Sequence, residues 1–396
     1  MTVLADDEDA ELVERSLMDG LFREMGLSDP QAVLRTVPAP GCRYRFVREA
    51  LHDPRFEATT IPSSPNLMFQ TVARFLARLP PERHKAVRRH FSGLFTPRRV
   101  ERYRARITER VDALIGDLVV AGPGPVDLVT TFARPLPFSV IADVLGVSAQ
   151  HQPWLGAAME VFGQAVAGQR DRANVERGNA ATAEMLDWFD AALRDRADQP
   201  REDVLSLLAA TPADGEQRAD LLANCLFFVL AGHATTTTLL TAGVHLLAEH
   251  RAQLDELLAR TEGWAAAVEE LLRYISPTTL TGVTARVEAE IDGCSVPAGG
   301  RRALAFAAAN RDPGVFDRPD ELDLTRSPNP HLAFSAGPHF CLGAPLARMH
   351  AEIALPALFG GLPGLRVTAP PTWLGSAPIR QVAALPVEWT TRAVSS

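Results

Sequence analysis

One cysteine, Cys341, lies between two glycines in a loop-like segment at residues 334–348. A strand-like segment at 331–334 precedes it, and a helix-like segment at 344–358 follows. The unpaired N–H groups and the positive dipole end of a helix start favour a thiolate over a thiol, and glycines let the backbone approach a flat, bulky group closely. The pattern therefore indicates a single stabilised thiolate that ligates a metal, although a lone cysteine of this kind is more often a small buried apolar residue.

A long apolar segment at residues 221–249 is the second centre of candidate chemistry. Its apolar residues surround the helix axis, which predicts a buried helix. Gly232 and the threonines from Thr235 to Thr238 are poor helix formers, so a local defect is expected there. Ala231 and Thr235 share one face of this helix, with Gly232 beside them. Without the cysteine segment, threonines that bond to their own helix would be the simplest interpretation.

Two charged pairs stand at helical spacing in segments that are predicted to be helices. His84 and Arg88 are four residues apart, and Glu270 and Arg273 are three apart. Each pair shares a helix face, where it contributes only a few tenths of a kcal/mol if solvated. Taken alone, both pairs are typical of solvent-exposed helix faces.

The composition is that of a water-soluble globular protein. Of the 396 residues, 46% are hydrophobic and 22% are charged, and the net charge of −8 disfavours wholesale nucleic-acid binding. The acidic start at 1–15 and the lack of an apolar run of about 18 to 20 residues predict no membrane anchor. The four cysteines, Cys42, Cys225, Cys294 and Cys341, form no close pair, which predicts a reducing cytoplasm rather than a disulfide framework.

These motifs, in this order, resemble those of the cytochrome P-450 family of haem-thiolate monooxygenases, in its soluble bacterial class. The resemblance covers residues 43–389 and is most specific around the cysteine. The residues at the family's places in this haem-binding loop are Phe334, Gly337, His339, Cys341 and Gly343. The resemblance implies that Cys341 is the metal ligand, the axial thiolate of haem b (heme b, iron protoporphyrin IX), which favours O–O cleavage. It also implies that His84, Arg88 and His339 bind the haem propionates, a task that suits the donor fork of arginine.

The resemblance assigns the middle of the apolar helix to the family's oxygen-binding groove. The catalytic residues that it implies are Ala231, Gly232, Thr235 and Thr236. The Thr235 hydroxyl would steady iron-bound dioxygen and relay protons. The sequence departs from the family at Ala234, where a carboxylate is usual. Proton delivery is then expected from His233, Thr236, water or the substrate, with release of peroxide as a competing outcome.

A structural core pair is also implied. Glu270 and Arg273 match the family's Glu-x-x-Arg pair, and Arg326 is predicted to complete it. Such a pair, if buried, is costly to break from one side. Ser335 stands where the family usually has glycine, which affects only the local turn.

One propionate contact of the family has no direct counterpart. Val283 stands where a propionate-binding arginine is usual, and Arg286 is three residues further on. Either the register shifts so that Arg286 serves, or one propionate relies on His84, Arg88 and His339. We favour the second interpretation.

The implied fold is mainly α with small antiparallel β sheets, with haem between the long central helix and the cysteine loop. We expect residues 1–396 to form a single domain, with 1–20 a loosely ordered N-terminal segment. A lid is expected from a helical pair at 150–198 with a bend at 168–170. The predicted pocket residues are Leu67, Met68, Phe69, Thr278 and Leu280. Other predicted elements are a strand at 42–47, helices at 48–54, 80–91, 100–120, 126–146 and 264–274, strands within 277–293, a turn at 295–300, and closing β segments at 362–367 and 384–389.

The function implied by the resemblance is a monooxygenase that hydroxylates or epoxidises a medium-sized, largely apolar small-molecule substrate, with secondary metabolism as the expected setting. No flavin or iron–sulfur motif is present, so electrons are expected from a ferredoxin and its ferredoxin reductase. Arg348 is either a docking charge for that partner or a structural residue. We expect a cytoplasmic monomer that binds neither nucleic acid nor membrane. The alternatives are oxidative coupling, desaturation or peroxide-driven oxidation, a non-catalytic haem sensor, and a helical binding module without haem.

Overall fold

The fold is described from a computed structural model of the chain. The structure describes residues 40–61, 63–167, 172–211, 213, 215–260, 262–374 and 379–390. The segment at 1–20 and the bend predicted at 168–170 lie outside these residues. Within the described ranges, helices predominate and the strands form four small antiparallel sheets, as the sequence predicts.

Helices form most of the layers around the site. In chain order they are α1 (Tyr44–His52), α2 (Leu67–Ala73), α3 (Pro81–Ser92), α4 (Pro97–Val100), α5 (Arg104–Ala121), α6 (Pro135–Leu145), α7 (Gln152–Ala167), α8 (Arg172–Asp198), α9 (Val204–Ala209), α10 (Gly215–Glu249), α11 (Arg251–Leu258), α12 (Trp264–Ile275), α13 (Phe306–Ala309) and α14 (Ala344–Gly361). Shorter 3-10 turns occur at Pro40–Cys42, Leu76–Arg78, Glu101–Tyr103 and Gly337–His339.

The strands are short and pair only antiparallel. They are β1 (Phe56–Ala58), β2 (Val126–Asp127), β3 (Thr281–Ala285), β4 (Ala289–Ile291), β5 (Cys294–Val296), β6 (Arg301–Leu304), β7 (Arg366–Val367), β8 (Thr372–Leu374), β9 (Gln381–Ala384) and β10 (Pro386–Glu388). The sheet orders are β1-β3-β6, β2-β10-β7, β4-β5 and β8-β9. The second sheet contains two of the predicted closing segments, β7 and β10.

Helix α10 lies at the centre of the core. It packs against α6, α8, α12 and α14, because it is apolar nearly all round. It is also the one helix in the described part of the chain that is long and apolar enough to cross a membrane. In the structure, 67% of its most apolar window is buried inside the protein, which is the burial of a core helix.

The local defect expected within α10 does not break the helix. The helix is continuous from Gly215 to Glu249, and its threonines bond one turn back. Thr235 Oγ1 donates to the Ala231 carbonyl oxygen at 2.8 Å, and Thr238 Oγ1 donates to that of Ala234 at 3.2 Å. These carbonyls accept the hydroxyls alongside their helical partners, so the threonines are accommodated without breaking the helix.

The strand predicted at 42–47 is wrong, because most of this segment belongs to α1. That helix buries Phe46, Val47, Ala50 and Leu51, whose spacing of one and then three or four residues is typical of a helix face. Two arginines alternating with aromatic residues imitated a strand over a few positions. The longer helical period decides the structure once the apolar face has a core to pack against. The helix predicted at 126–146 is likewise divided into β2, a π-helical turn (Val129–Ala133) and α6.

The strand predicted at 331–334 is also wrong. The Leu332 N–H donates to the buried side chain of Asn310 at 2.7 Å instead of to a neighbouring strand. The Ser335 N–H donates back to the Leu332 carbonyl oxygen at 2.9 Å. Ser335 has a φ of +61°, a conformation that glycine adopts freely and serine only at some cost. The segment is therefore a turn that aims the chain into the cysteine loop.

Helix α14 buries a histidine, His350, whose pKa lies well below its usual range. Its Nδ1 is 2.8 Å from the Leu346 carbonyl oxygen, so Nδ1 carries the proton, and among the described residues Nε2 has no hydrogen-bond partner. Burial lowers the pKa of His350 to about 4. A second proton would place an unpaired charged N–H in the core, so the folded protein keeps the ring neutral.

Wild type should lose stability relative to a His350→Leu variant as the pH falls from 6.5 to 4. The unfolded chain takes up the proton below about 6.5, whereas the folded chain resists it down to about 4. The stability that depends on a neutral His350 is fully present above pH 6.5. About 3 kcal/mol of the free energy of unfolding is lost as the pH falls from 6.5 to 4. Urea unfolding of both proteins between pH 7 and pH 4.5 measures it. Parallel stability curves would contradict the assignment.

Candidate active site

The cysteine loop is fixed by backbone bonds and one close approach. The Cys341 N–H donates to the Phe334 carbonyl oxygen at 2.9 Å, and the Phe340 N–H donates to that of Gly337 at 3.1 Å. Gly337 has a φ of +61°, and a Cβ there would lie 2.5 Å from the Leu51 carbonyl oxygen. Both the positive φ and the close approach to Leu51 require glycine at position 337. The loop is therefore seated directly against α1.

The Cys341 thiol lies at the N-terminal end of α14. The protein packed around it raises the pKa of the thiol, and the N–H groups of Gly343 and Ala344 and the charges of Arg88 and Arg348 offset part of the rise. The N–H groups at the helix start thus act in the predicted direction, towards thiolate, while burial acts against them. The side chain is nevertheless accessible to solvent, so its burial is incomplete and a ligand atom can reach Sγ.

Helix α3 places His84 and Arg88 against the cysteine loop. The rings of His84 and His339 are 4.2 Å apart between centroids, and Arg88 Nη2 donates to the Phe340 carbonyl oxygen at 2.7 Å. Burial, together with His339 and Arg88, lowers the pKa of His84 to about 4. Burial also lowers the pKa values of Arg88 and His339. In the described ranges, no carboxylate forms an ion pair with any of the three side chains.

This donor set fits haem b. The macrocycle supplies four iron ligands itself, so the protein needs to provide only an axial ligand such as Cys341. The two propionates are the carboxylates that the cluster of His84, Arg88 and His339 lacks. Among the described residues, no group of three or more His, Cys, Asp and Glu side chains could hold a metal ion directly.

One face of α10 stays partly exposed in the middle of the core. It carries Phe227, Ala231 and Thr235, which are four residues apart and so lie one above the other. Gly232 lies beside them, and a Cβ there would be 3.0 Å from the side chain of Ile141 on α6. Glycine at 232 therefore lets α6 pack closely. This partly exposed face, which we call the accessible strip, presents one hydroxyl, that of Thr235.

The position of the missing carboxylate, Ala234, and the two residues expected to replace it differ in their exposure to solvent. Ala234 and Thr236 are both buried. His233 is partly exposed; its Nδ1 lies 2.8 Å from the Val229 carbonyl oxygen and its ring meets Phe138 edge-on at 5.9 Å. Burial lowers the pKa of His233, and the charge of Arg134 lowers it further. The hydrogen bond to the Val229 carbonyl oxygen acts in the opposite direction. A neutral His233 with Nδ1 engaged leaves Nε2 free to accept a proton, whereas Thr236 has no exposed path.

The three residues predicted to form a structural core lie together. Glu270 and Arg273 are fully buried and share two hydrogen bonds of 2.8 Å. Arg326 Nε lies 3.1 Å from both oxygens of the same carboxylate. Arg273 also donates to the carbonyl oxygens of Asn310 and Pro319 at 2.9 and 2.7 Å. The pair therefore ties α12 to the chain that leads into the cysteine loop.

Arg286 does not join the cluster around His84. Its side chain is exposed and lies 3.9 Å from Glu57. Val283 is buried in strand β3, where it pairs with Ala58 on one side and Arg302 on the other. The favoured interpretation, in which one propionate relies on His84, Arg88 and His339, stays a prediction.

The predicted pocket residues divide by exposure. Leu67 and Thr278 remain partly exposed, whereas Met68, Phe69 and Leu280 are buried. Their role in lining a pocket stays a prediction.

Met68 is the contact between α2 and the predicted lid. A Cβ at Gly178 of α8 would lie 2.6 Å from the Met68 sulfur. The Met68 N–H donates to Asn179 Oδ1 at 2.9 Å. Helix α2 is therefore fastened to α8 at its first turn.

A charged cluster between α10 and the α2–α3 segment was missed from the sequence. Buried Asp220 accepts hydrogen bonds from Arg74 at 2.8 Å and Arg83 at 2.5 Å. Asn224, one turn further, accepts the Leu76 N–H at 2.6 Å and donates to the Arg74 carbonyl oxygen at 2.9 Å. The partners are 137 to 150 residues apart in the sequence, so no local pattern connects them.

The fold and the site define the class of haem-thiolate proteins: a cysteine loop ahead of a helix, an arginine with two histidines packed against that loop, and a buried Glu-x-x-Arg core. The family model described as cytochrome P450 matches residues 264–360. The biotin biosynthesis cytochrome P450 of Bacillus subtilis is 33% identical over 330 residues, covering 82% of this chain and 83% of that protein. The cytochrome P450 monooxygenase PikC of Streptomyces venezuelae is 35% identical over 355 residues, 87% of this chain and 84% of that one.

Solved structures agree. The crystal structure of P450BioI in complex with hexadec-9Z-enoic acid ligated acyl carrier protein superposes with a TM-score of 0.83 at 30% identity, covering 98% of this chain and 100% of that chain. The chain therefore belongs to the cytochrome P450 family, whose members are haem b monooxygenases. The predicted fold, cofactor and enzyme class are confirmed, and the helical binding module without haem is excluded.

Proposed function

We propose that this monooxygenase hydroxylates or epoxidises a medium-sized, largely apolar small molecule in secondary metabolism. The observation that carries the proposal is the accessible thiol of Cys341 beside His84, Arg88 and His339, none of which pairs with a carboxylate in the described ranges. Several relatives support the setting by name, among them the polyketide biosynthesis cytochrome P450 PksS and the 6-deoxyerythronolide B hydroxylase. The partly exposed strip of α10 with its single hydroxyl favours an apolar substrate.

The roles follow from where the side chains lie. Cys341 would hold the haem iron, and Phe334, Gly337 and Gly343 would shape the loop around it. His84, Arg88 and His339 would bind the propionates. Bound haem would supply the activation of dioxygen and the transfer of one oxygen atom. The remaining work falls to the chain, which orients the substrate and supplies protons.

Proton supply would start at the accessible strip of α10. Thr235 Oγ1 donates to the Ala231 carbonyl oxygen, so its lone pairs can accept a hydrogen bond from water in the strip. Neutral His233, whose Nε2 is not engaged by the Val229 bond, is the nearest titratable side chain along the helix. Water and the substrate would complete the route, because Ala234 offers no acid. Buried Thr236 would steady the helix rather than carry protons.

The partners would be the small-molecule substrate, dioxygen, and a ferredoxin with its ferredoxin reductase as electron source. We place the protein in the cytoplasm as a monomer, with residues 1–396 forming one domain. A carrier-bound substrate is the second candidate, because P450BioI was solved with an acyl carrier protein that holds a fatty acid. Substrate binding with and without a carrier separates the two.

The test is the absorption spectrum of the reduced protein with carbon monoxide, followed by turnover. A far-red-shifted Soret band and formation of an oxygenated product with ferredoxin, reductase and dioxygen are expected. A thiolate band without turnover of any substrate that shifts the ferric spin state would favour the sensor. The band of a neutral ligand would overturn the assignment of Cys341.

Ala234→Glu is expected to lower the hydrogen peroxide formed per electron pair several-fold. A carboxylate beside Thr235 would add a proton donor that the chain lacks at this position. The measurement uses ferredoxin, reductase and a surrogate substrate that shifts the ferric spin state. Ala234→Gln, which has the same shape without the acid, is the matched control. An unchanged ratio would favour chemistry with lower proton demand, such as oxidative coupling, desaturation or peroxide-driven oxidation.

A further inference from the structure

An ion pair lies behind the cysteine loop, between α12 and α14. Arg348 Nε and Nη2 are 2.6 and 2.8 Å from the two oxygens of Glu269. His331 Nε2 lies 3.2 Å from the same carboxylate. Because His331 Nδ1 accepts the Ala333 N–H at 3.2 Å, Nε2 carries the ring proton and donates to Glu269. The carboxylate is thus bonded by three N–H groups.

Glu269 is ionised at any working pH. Burial raises its pKa, but the hydrogen bonds and charges of Arg348 and His331 outweigh burial and hold the pKa at about 2. The pair therefore consists of one full negative and one full positive charge. Both are about one third exposed at the side chain, so the surrounding medium weakens their fields without removing them.

The pair is connected to the ligand loop through Phe334. The Arg348 guanidinium lies 4.6 Å from the centroid of the Phe334 ring. The Phe334 carbonyl oxygen accepts the Cys341 N–H at 2.9 Å. Arg348 is therefore one packed ring and one backbone hydrogen bond away from the residue that would hold the iron. The Glu269 carboxylate is bonded to the same guanidinium, so both charges of the pair lie behind the loop.

This geometry decides between the two roles considered for Arg348. A docking residue has to present its charge to a partner, whereas Arg348 spends its donor fork on Glu269 and its flat face on Phe334. Bidentate bonding and stacking hold the group in one orientation. Arg348 is therefore a positioning residue within the protein.

We propose that Glu269 and Arg348 set the electron density available at Cys341: Arg348 withdraws it, and Glu269 cancels most of that withdrawal. The inference rests on the proposed function, in which Cys341 holds the haem iron. A cation beside the ligand favours uptake of an electron, and an anion disfavours it. The pair thus balances ease of reduction against the donation by the thiolate that favours O–O cleavage.

The test is the reduction potential of the ferric/ferrous couple. Glu269→Gln leaves Arg348 uncompensated and should raise the potential. Arg348→Gln leaves the Glu269 charge uncompensated and should lower it. The double variant and Arg348→Lys, which keeps the charge and loses the fork, should both lie near wild type. Loosening of the loop alone would move all variants in one direction.

Asp255→Asn in the exposed pair on α11 is the control for net charge, since it removes the same charge elsewhere. It should leave the potential unchanged. Shifts of equal sign for Glu269→Gln and Arg348→Gln, or no shifts, overturn the inference while wild type keeps its thiolate band. If Arg348→Gln binds no haem, the other two variants decide. The inference is supported if the reduction potential rises in Glu269→Gln and stays at the wild-type value in Arg348→Lys. It is overturned if Glu269→Gln and Arg348→Lys have equal potentials. Absence of the thiolate band in wild type is instead a failure of the proposed function.

Discussion

Replacing Arg273 by methionine is expected to lower the free energy of unfolding by about 3 to 5 kcal/mol. The change leaves the fully buried carboxylate of Glu270 with Arg326 as its remaining guanidinium partner. It also removes the donors to the carbonyl oxygens of Asn310 and Pro319. A buried charge and buried carbonyls that lose their donors both carry a desolvation cost. Equilibrium urea unfolding of the haem-loaded protein measures the loss.

The matched control is Arg251→Met. Arg251 pairs with Asp255 at 2.9 Å on α11, where both side chains are more than half exposed. Removing it should cost less than about 1 kcal/mol, because water already solvates both charges. Equal losses in the two variants would mean that Glu270 is adequately satisfied without Arg273.

A Cys341→Ser variant is expected to lose the far-red-shifted band of the reduced carbon monoxide complex completely, and all oxygenation with it. Serine keeps the size of the side chain and its place at the start of α14 but offers a hydroxyl that does not ionise near neutral pH. The loop around it should persist, because the Cys341 N–H bond to Phe334 and the seat of Gly337 involve backbone atoms. Absorption spectra of the reduced protein with carbon monoxide give the measurement.

Cys225→Ser serves as the control for that variant. Cys225 is fully buried in α10, and burial raises the pKa of its thiol to about 12. The change should lower stability slightly and leave the spectrum unchanged. A thiolate band that survives Cys341→Ser but disappears in Cys225→Ser would reverse the assignment of the ligand.

The sequence predicts the site where chemistry is carried by short, ordered motifs. The 334–348 segment, the paired residues of α3 and α12, and the apolar run of α10 each combine residue types with a spacing that few other structures require. The structure brings the residues of α3 against the cysteine loop, and the roles of the site residues stay predictions. Arg326 was also found in advance, because the family resemblance fixes its place after Glu270.

Charge networks that join distant segments were beyond sequence reasoning. Glu269 meets Arg348 across 79 residues, and Asp220 meets Arg74 across 146. Each is an ordinary charged residue in its own neighbourhood, and only the fold makes it a partner. The strand wrongly predicted at 42–47 has a related cause. Over a few residues, periods of two and of 3.6 are hard to separate, so the packing of Phe46 and Val47 in the core decides.

Helix α2 is a short helix that is hydrogen-bonded to two other helices near its ends. It has seven residues. Near its start, the Met68 N–H donates to Asn179 of α8, and just beyond its end the Leu76 N–H donates to Asn224 of α10. Because α8 and α10 also pack against each other, we expect α2 to move with these two helices rather than alone.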